Sequence, residues 1–171
     1  MPSTFLSRVV RAAKLDPNLY EEVEADRSAV GQAVGVVVLS SLAGGIGGYG
    51  QLGLLGGTLA ALAGWYVWAY LAYWIGTRLF PEAETRADHG ELLRTVGFAA
   101  SPGLIRVVGV VPALQWVMHL VAGVWTIAAM VVAVRQALDY KSTARAAGVS
   151  LLAWVVQGFA VGLLVWLFGG A

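Results

Sequence analysis

Five long apolar stretches fill most of the 171 residues, at about 29–49, 52–80, 92–111, 113–137 and 147–168. A bilayer core about 30 Å thick takes about 20 residues of helix at 1.5 Å each, so every stretch is long enough to cross one. Alternation at period two is absent, which argues against a barrel and for a helical bundle, because a spanning segment must satisfy its own backbone donors and acceptors. The composition agrees: 58% of residues are hydrophobic and 12% charged, against about 25% charged in a soluble domain. The predicted fold is an all-α integral membrane domain at 29–171 with five transmembrane helices, preceded at 1–28 by a cytoplasmic segment carrying a short amphipathic interfacial helix. Ser101-Pro102-Gly103 is expected to break the third span, and Pro112 to separate it from the fourth. As one helix the two would run roughly 45 residues and reach about 68 Å, far beyond a bilayer.

The charges settle the expected orientation. Arg8, Arg11, Lys14 and Arg27 precede the first span; Arg78, Arg86 and Arg94 lie at or between the second and third; Arg135, Lys141 and Arg145 lie between the fourth and fifth. The acids follow the same partition, so five spans put every charged connection on one side. The positive-inside rule makes that side the cytoplasm, with the N-terminus in and the C-terminus out. Arg8, Arg11 and Lys14 interrupt the apolar pattern of the first fifteen residues, which is not the layout of a cleavable signal peptide. A net charge of +1 speaks against nucleic acid as a partner.

Between Thr4 and Leu15 an apolar stripe of Phe5, Leu6, Val9, Val10 and Ala13 faces away from most of the cations. That pattern suits a basic helix in the membrane interface, with Arg8, Arg11 and Lys14 meeting anionic headgroups. Asp16-Pro17 starts a second helix with Leu19, Tyr20 and Val23 on one side and Glu21, Glu22, Glu24 and Asp26 largely on the other. It reads as a solvated connector or as a docking face for a basic partner.

Arg106 is left over, inside the third span. It either snorkels or takes carbonyls freed at the Pro102 break; the sharper alternative is a bound anion or lipid headgroup, with His119 as its neighbour. Small residues supply candidate helix-packing ridges at Gly31/Gly35, Ser40/Gly44/Gly48 and Gly158/Gly162, within one bundle or between subunits. In the second span Tyr73 and Trp74 fit an interfacial belt, and Trp65 to Tyr70 fit aromatic packing, with stacking on a pigment, quinone or sterol as the alternative.

Catalytic chemistry finds no constellation. The two histidines, His89 and His119, are expected on opposite sides of the membrane, Asp88-His89-Gly90-Glu91 lacks the His-Glu-x-x-His spacing of a zinc site, and Ser40, Ser41, Ser101 and Thr126 have no base beside them. No cysteine is present. The expectation is therefore no enzyme, no metal and no cofactor.

The order of features resembles the Yip family of small polytopic membrane proteins, in its prokaryotic Yip-domain form. Three elements carry the resemblance: Leu15-Asp-Pro-Asn-Leu-Tyr-Glu-Glu-Val23; Gly90-Glu-Leu-Leu-Arg-Thr-Val-Gly-Phe-Ala-Ala-Ser-Pro-Gly-Leu104; and Trp125 with Val134-Arg-Gln-Ala-Leu-Asp-Tyr-Lys-Ser-Thr-Ala-Arg-Ala146. It implies a five-helix membrane domain with a cytoplasmic N-terminus. Eukaryotic members are associated with Rab GTPases, vesicle traffic and membrane shaping. Their long cytosolic region with its Asp-Leu-Tyr-Gly-Pro-type motif has no counterpart in the 28 residues ahead of the first span, and the Rab partner is not carried over. The expected function is a non-enzymatic scaffold or accessory subunit of the prokaryotic inner membrane, binding lipids, anionic lipids at the cytoplasmic face included, and other membrane proteins or further copies of itself. A channel or transporter for a small solute or anion is the alternative.

Overall fold

The computed structural model describes residues 4–49 and 52–168, and the ends of the chain at 1–3 and 169–171, which belong to the expected segments 1–28 and 29–171, lie outside it. The described residues are helical with no strand. Five helical spans, Arg27–Gly48, Gly53–Leu79, His89–Val110, Pro112–Ala137 and Thr143–Leu167, are long and apolar enough to cross a membrane. The chain is an all-α, multi-pass membrane protein. The face carrying the charged connections is called the charged face below, and the other the far face.

Two short helices, α1 (Phe5–Ala13) and α2 (Pro17–Ala25), precede the spans. Thr4 caps α1, its hydroxyl accepting from the Ser7 amide at 3.3 Å. Asp16 caps α2 by accepting from Asn18 N at 3.1 Å, and Pro17 occupies the first turn, where its missing N–H leaves no bond unmade. A one-turn 3-10 helix at Arg27–Ala29 leads into α3 (Val30–Gly44). The first span then widens over Gly45–Tyr49, where Gly48 holds φ +90°, a left-handed backbone that glycine adopts without penalty.

The second span is α4 (Gly53–Trp74), prolonged by a wide turn at Ile75–Leu79. Wide turns free backbone carbonyls, and here the Tyr140 hydroxyl lies 2.9 Å from Gly76 O and 2.7 Å from Phe80 O. The third span starts with α5 (His89–Ala99), held by a reciprocal box in which Asp88 and Glu91 each accept the other's amide. At Val111 the backbone is extended and the chain turns back through Pro112–Leu114 into α6 (Gln115–Ala137), so Pro112 does divide two spans. The last span is α7 (Thr143–Phe168).

The third span runs through the middle of the bundle and is the most enclosed of the five, although it is also the least apolar. One core lies between α5 and α4, α6 and α7, around Trp68, Leu92, Val96, Leu138 and Val149. The other lies between α5, α6, α3 and the α1–α2 pair, around Tyr20, Val23, Ala33, Phe98 and Ala133. Leu19, Tyr20 and Val23 of α2 are completely buried, so α2 is part of the core and not a solvated connector. The pair is also docked deep: Trp125 Nε1 donates to Ala13 O at 2.7 Å, and Trp125 stands twelve residues, about 18 Å, before the end of α6.

Candidate functional site

The break at Ser101-Pro102-Gly103 does more than kink a helix. Ser101 Oγ donates to Phe98 O at 2.6 Å, and from there Ser101–Val110 winds as ten residues of 3-10 helix. Such runs rarely exceed three or four residues, and at three residues per turn they stack side chains at i and i+3. Gly103, Arg106 and Gly109 therefore share one face, and that face meets the first span. A Cβ on Gly103 would strike Ser40 Oγ; Gly44 would bring its Cβ 3.7 Å from Arg106 Cδ; and a Cβ on Gly47 would strike the Arg106 carbonyl. The Ser40/Gly44/Gly48 ridge is thus a packing surface within one bundle, its Gly48 end abutting the Gln115 side chain.

Arg106 is held in this seam. It lies four residues before the far end of the segment, close enough to snorkel, yet its guanidinium turns back towards the bilayer centre, with Nη1 2.9 Å from a Cβ built on Gly103. Among the described residues, no hydrogen bond joins it to a carbonyl freed at the Pro102 break. Its Nε is buried without a hydrogen-bond partner among the described residues, and every acid of the chain lies elsewhere, at 16–26, 82–91 and 139.

Arg106 borders a cavity of about 590 Å³ walled by all five spans, with Ser40, Trp65, Trp68, Val96, Thr126 and Trp154 among its lining. Trp68 Nε1 and Thr126 Oγ1 are also buried there without partners. The ring of Trp68 stands 6.1 Å from that of Trp154, and Trp65 Nε1 donates to Leu93 O. Gly158 and Val161 of α7 line the cavity too and are uncovered by protein, so it opens to the outside of the bundle along α7. Towards the far face a second cavity, of about 330 Å³, shares Ser40, Ser41 and Arg106 with the first and adds His119. The structure thus brings Arg106 and His119 to one cavity. Sequence reasoning named Thr126 only as a hydroxyl without a base, and Trp65–Tyr70 as packing or as a stacking surface for a pigment, quinone or sterol; it passed over Trp154 and Gln157.

The other packing candidates fare differently. A Cβ on Gly31, Gly158 or Gly162 would meet nothing within 4 Å, and Gly35 would meet only the Phe5 ring, at 3.9 Å. Gly31, Gly158 and Gly162 are therefore not helix contacts within the described bundle, and Gly35 faces only α1.

On the charged face, the cations of α1 turn to α2 and not outward. Arg8 pairs with Glu22 at 2.9 Å and Asp26 at 2.8 Å, and donates to Gln32 Oε1 at 3.1 Å; Arg11 pairs with Asp16 at 2.8 Å and Glu22 at 2.6 Å. Arg8 is only 7% exposed. The expected headgroup contacts at Arg8 and Arg11 are therefore replaced by ion pairs inside the chain, and the basic partner of the acidic helix is α1 itself. Lys14 stays exposed, as do Leu6 and Val10. The Arg11 guanidinium holds the Asp16 carboxyl below its ordinary range, and hydrogen bonds from Ser28 and Arg8 do the same for Asp26.

A cation at the edge of the third span fastens this cap. Arg94, on α5 and 5% exposed, donates from Nε to Val23 O at 2.9 Å and Glu24 O at 3.1 Å, and from Nη2 to Glu24 O. It closes the C-terminus of α2, where carbonyls lack helical partners and a cation is favoured. Beside it, a cleft of about 520 Å³ is bordered by Glu21, Glu24, Glu84, Glu91 and Asp139 together with Arg135 and Lys141. Burial, reinforced by Glu91, Asp139 and Glu21, pushes the Glu24 carboxyl up to about 7. Near the same face, the His89 ring is ringed by Tyr66, Tyr70 and Tyr73 at centroid distances of 5.0, 5.5 and 6.2 Å.

Neither the curated proteins nor the solved structures contain a match to this chain. A family model does match: the Yip1 domain, over residues 17–165, from the first residue of α2 to the outer part of α7. With four spans, nearly all of the fifth, the docked α2 and the Pro-Gly break inside that match, the chain belongs to the Yip1 domain family.

Proposed function

We propose that this protein is a non-enzymatic membrane scaffold or accessory subunit that engages lipids and partner membrane proteins, a second copy of itself among them. The observation that supports the reading is the cavity opening along α7. Its polar lining consists of a cation, hydroxyls, an indole N–H and Gln157, whose Nε2 already donates to Gly64 O at 3.2 Å. Groups of this kind bind and orient; none is a base placed against a nucleophile. Beyond Gln157 the described side chains of α7 are uncovered by the rest of the chain, leaving a long helical flank for lipid or another helix. In this reading the protein sits in the inner membrane of a prokaryote with its charged face and N-terminus in the cytoplasm and its C-terminus outside, an orientation that the positive-inside rule supports. Extraction from native membranes into polymer-bounded nanodiscs, followed by mass spectrometry, tests the reading. A defined oligomer or a stoichiometric partner is expected, and a monodisperse, partner-free monomer overturns it.

A second reading, permeation of a small anion, is favoured by one observation: the two cavities meet at Arg106, and the one nearer the far face includes His119. Liposomes containing the protein should then show anion flux that falls on Arg106→Ala or His119→Ala; absence of flux under every gradient eliminates it.

A further inference from the structure

We propose that the cavity between the spans is a binding site for an anionic phospholipid, with Arg106 as the counter-charge to its phosphate. This rests on the scaffold reading of that cavity and names its ligand class. Arg106 Nε, Thr126 Oγ1 and Trp68 Nε1 are all buried, all unpartnered among the described residues, and all on the wall of one cavity. Each can donate a hydrogen bond, so the cavity calls for a ligand rich in acceptor oxygens.

The charge narrows the class. A guanidinium in the interior of a bilayer is costly unless an anion accompanies it, and the sequence places no Asp or Glu between residues 92 and 138 or between 27 and 81. The counter-anion therefore comes from outside the chain. Arginine suits phosphate, because its planar fork of donors matches adjacent phosphate oxygens. The site is also built to hold this arginine. The 3-10 winding sets Gly103 and Arg106 on one face, and the absence of a side chain at Gly44 and Gly103 leaves the space its stem and Nη1 occupy.

The remaining wall identifies a lipid and not a free anion. Trp65, Val96, Met130, Trp154 and Val161 are apolar surfaces for an acyl chain, and at about 590 Å³ the cavity lies in the range of small-molecule sites. Its opening on α7 faces the region from which a lipid enters sideways. A zwitterionic lipid brings its own cation to the phosphate, so an anionic headgroup is preferred.

The test uses the full-length protein in detergent micelles, titrated with dioleoylphosphatidylglycerol, dioleoylphosphatidylcholine or inorganic phosphate and read by native mass spectrometry. The wild type should retain phosphatidylglycerol about tenfold more tightly than phosphatidylcholine; R106Q should lose that preference, and R106K should keep most of it. Inorganic phosphate should neither bind measurably nor displace the lipid. Equal retention of the two lipids, undiminished phosphatidylglycerol on R106Q, or binding of phosphate with no lipid overturns the proposal. Should R106Q not yield helical, monodisperse protein, Gly158→Trp adds bulk at the cavity mouth, where a Cβ meets nothing within 4 Å, and must lower phosphatidylglycerol retention. A chain that co-purifies with protein partners but retains no phosphatidylglycerol leaves the scaffold reading standing without this one; a lone monomer carrying the lipid does the reverse.

Discussion

The guanidinium of Arg94 donates to the backbone carbonyl of Val23, seventy-one residues away in the chain, at 2.9 Å. This contact, with its companions to Glu24 O, ties the end of α2 to the central span. Arg94→Met would leave the buried Val23 carbonyl and the partly buried Glu24 carbonyl without this donor, which costs about 2–3 kcal/mol. Arg94→Lys should recover part of that loss, since an ammonium on a flexible stem cannot present the same fork. Thermal unfolding in micelles should rank wild type above R94K and R94K above R94M, and limited proteolysis should cut R94M first between α2 and α3.

Glu24 makes the same region pH-sensitive. Its folded carboxyl titrates near 7, against an ordinary value of 4.5, because burial and the neighbouring Glu91, Asp139 and Glu21 disfavour the charge more than Arg94 favours it. A raised carboxyl binds its proton more tightly in the folded state, so its ionisation penalty is absent below the ordinary value and complete above about 7. Asp16 and Asp26 act in the opposite sense, but their carboxyls are lowered and lose their contribution only as pH falls through the acid range below 3.8. Between pH 5 and 8 the unfolding midpoint of the wild type should therefore fall as pH rises. Glu24→Gln should flatten the slope; an unchanged slope in that variant would assign the effect to another group.

Glycine substitutions separate real contacts from apparent ones. Gly103→Ala forces a methyl against Ser40 Oγ and Arg106 Nη1, and Gly97→Ala sets one 2.6 Å from the Ala33 Cβ. Overpacking of this kind costs about 1–3 kcal/mol. Gly158→Ala and Gly162→Ala meet nothing within 4 Å and should stay within about 0.5 kcal/mol of wild type in the isolated chain. If cross-linking in native membranes shows either of the latter pair to weaken an oligomer, that ridge works between subunits.

These cases show where the sequence was readable. The spans and the break at Pro102 follow from apolar run length and from the chemistry of proline, both local properties, and they stand in the structure close to their expected places. The 3-10 continuation to Val110 was hidden, because no residue between Leu104 and Val110 marks a three-residue turn; the winding that aligns Gly103, Arg106 and Gly109 follows from packing on α3. The role of Arg94 was hidden for a related reason. Counting charges assigns a side of the membrane but no depth, and a guanidinium that caps a helix seventy residues earlier looks like any loop cation. The cavity was legible only at Arg106, whose isolation from every acid is visible in the sequence; Thr126 and Trp68 become unusual only when their neighbours fail to partner them.

The two arginines of α1 should differ sharply in worth, although the sequence presents them as equivalent. The Arg8 side chain is 9% exposed against 31% for Arg11, and both pair with Glu22. Removing a buried partner strands the other charge in a poorly solvated place, so Arg8→Ala should cost about 3 kcal/mol. Arg11 sits nearer solvent, where an ion pair contributes about 0.2–1 kcal/mol and salt weakens it. Raising salt from 50 to 500 mM should accordingly shrink the effect of Arg11→Ala on the unfolding midpoint and leave most of that of Arg8→Ala. If the cations of α1 instead served chiefly to meet headgroups, both variants would detach the N-terminal segment from anionic vesicles equally and neither would change stability in neutral micelles. The same pair of measurements, made with Lys14→Ala, should give that pattern for Lys14 alone.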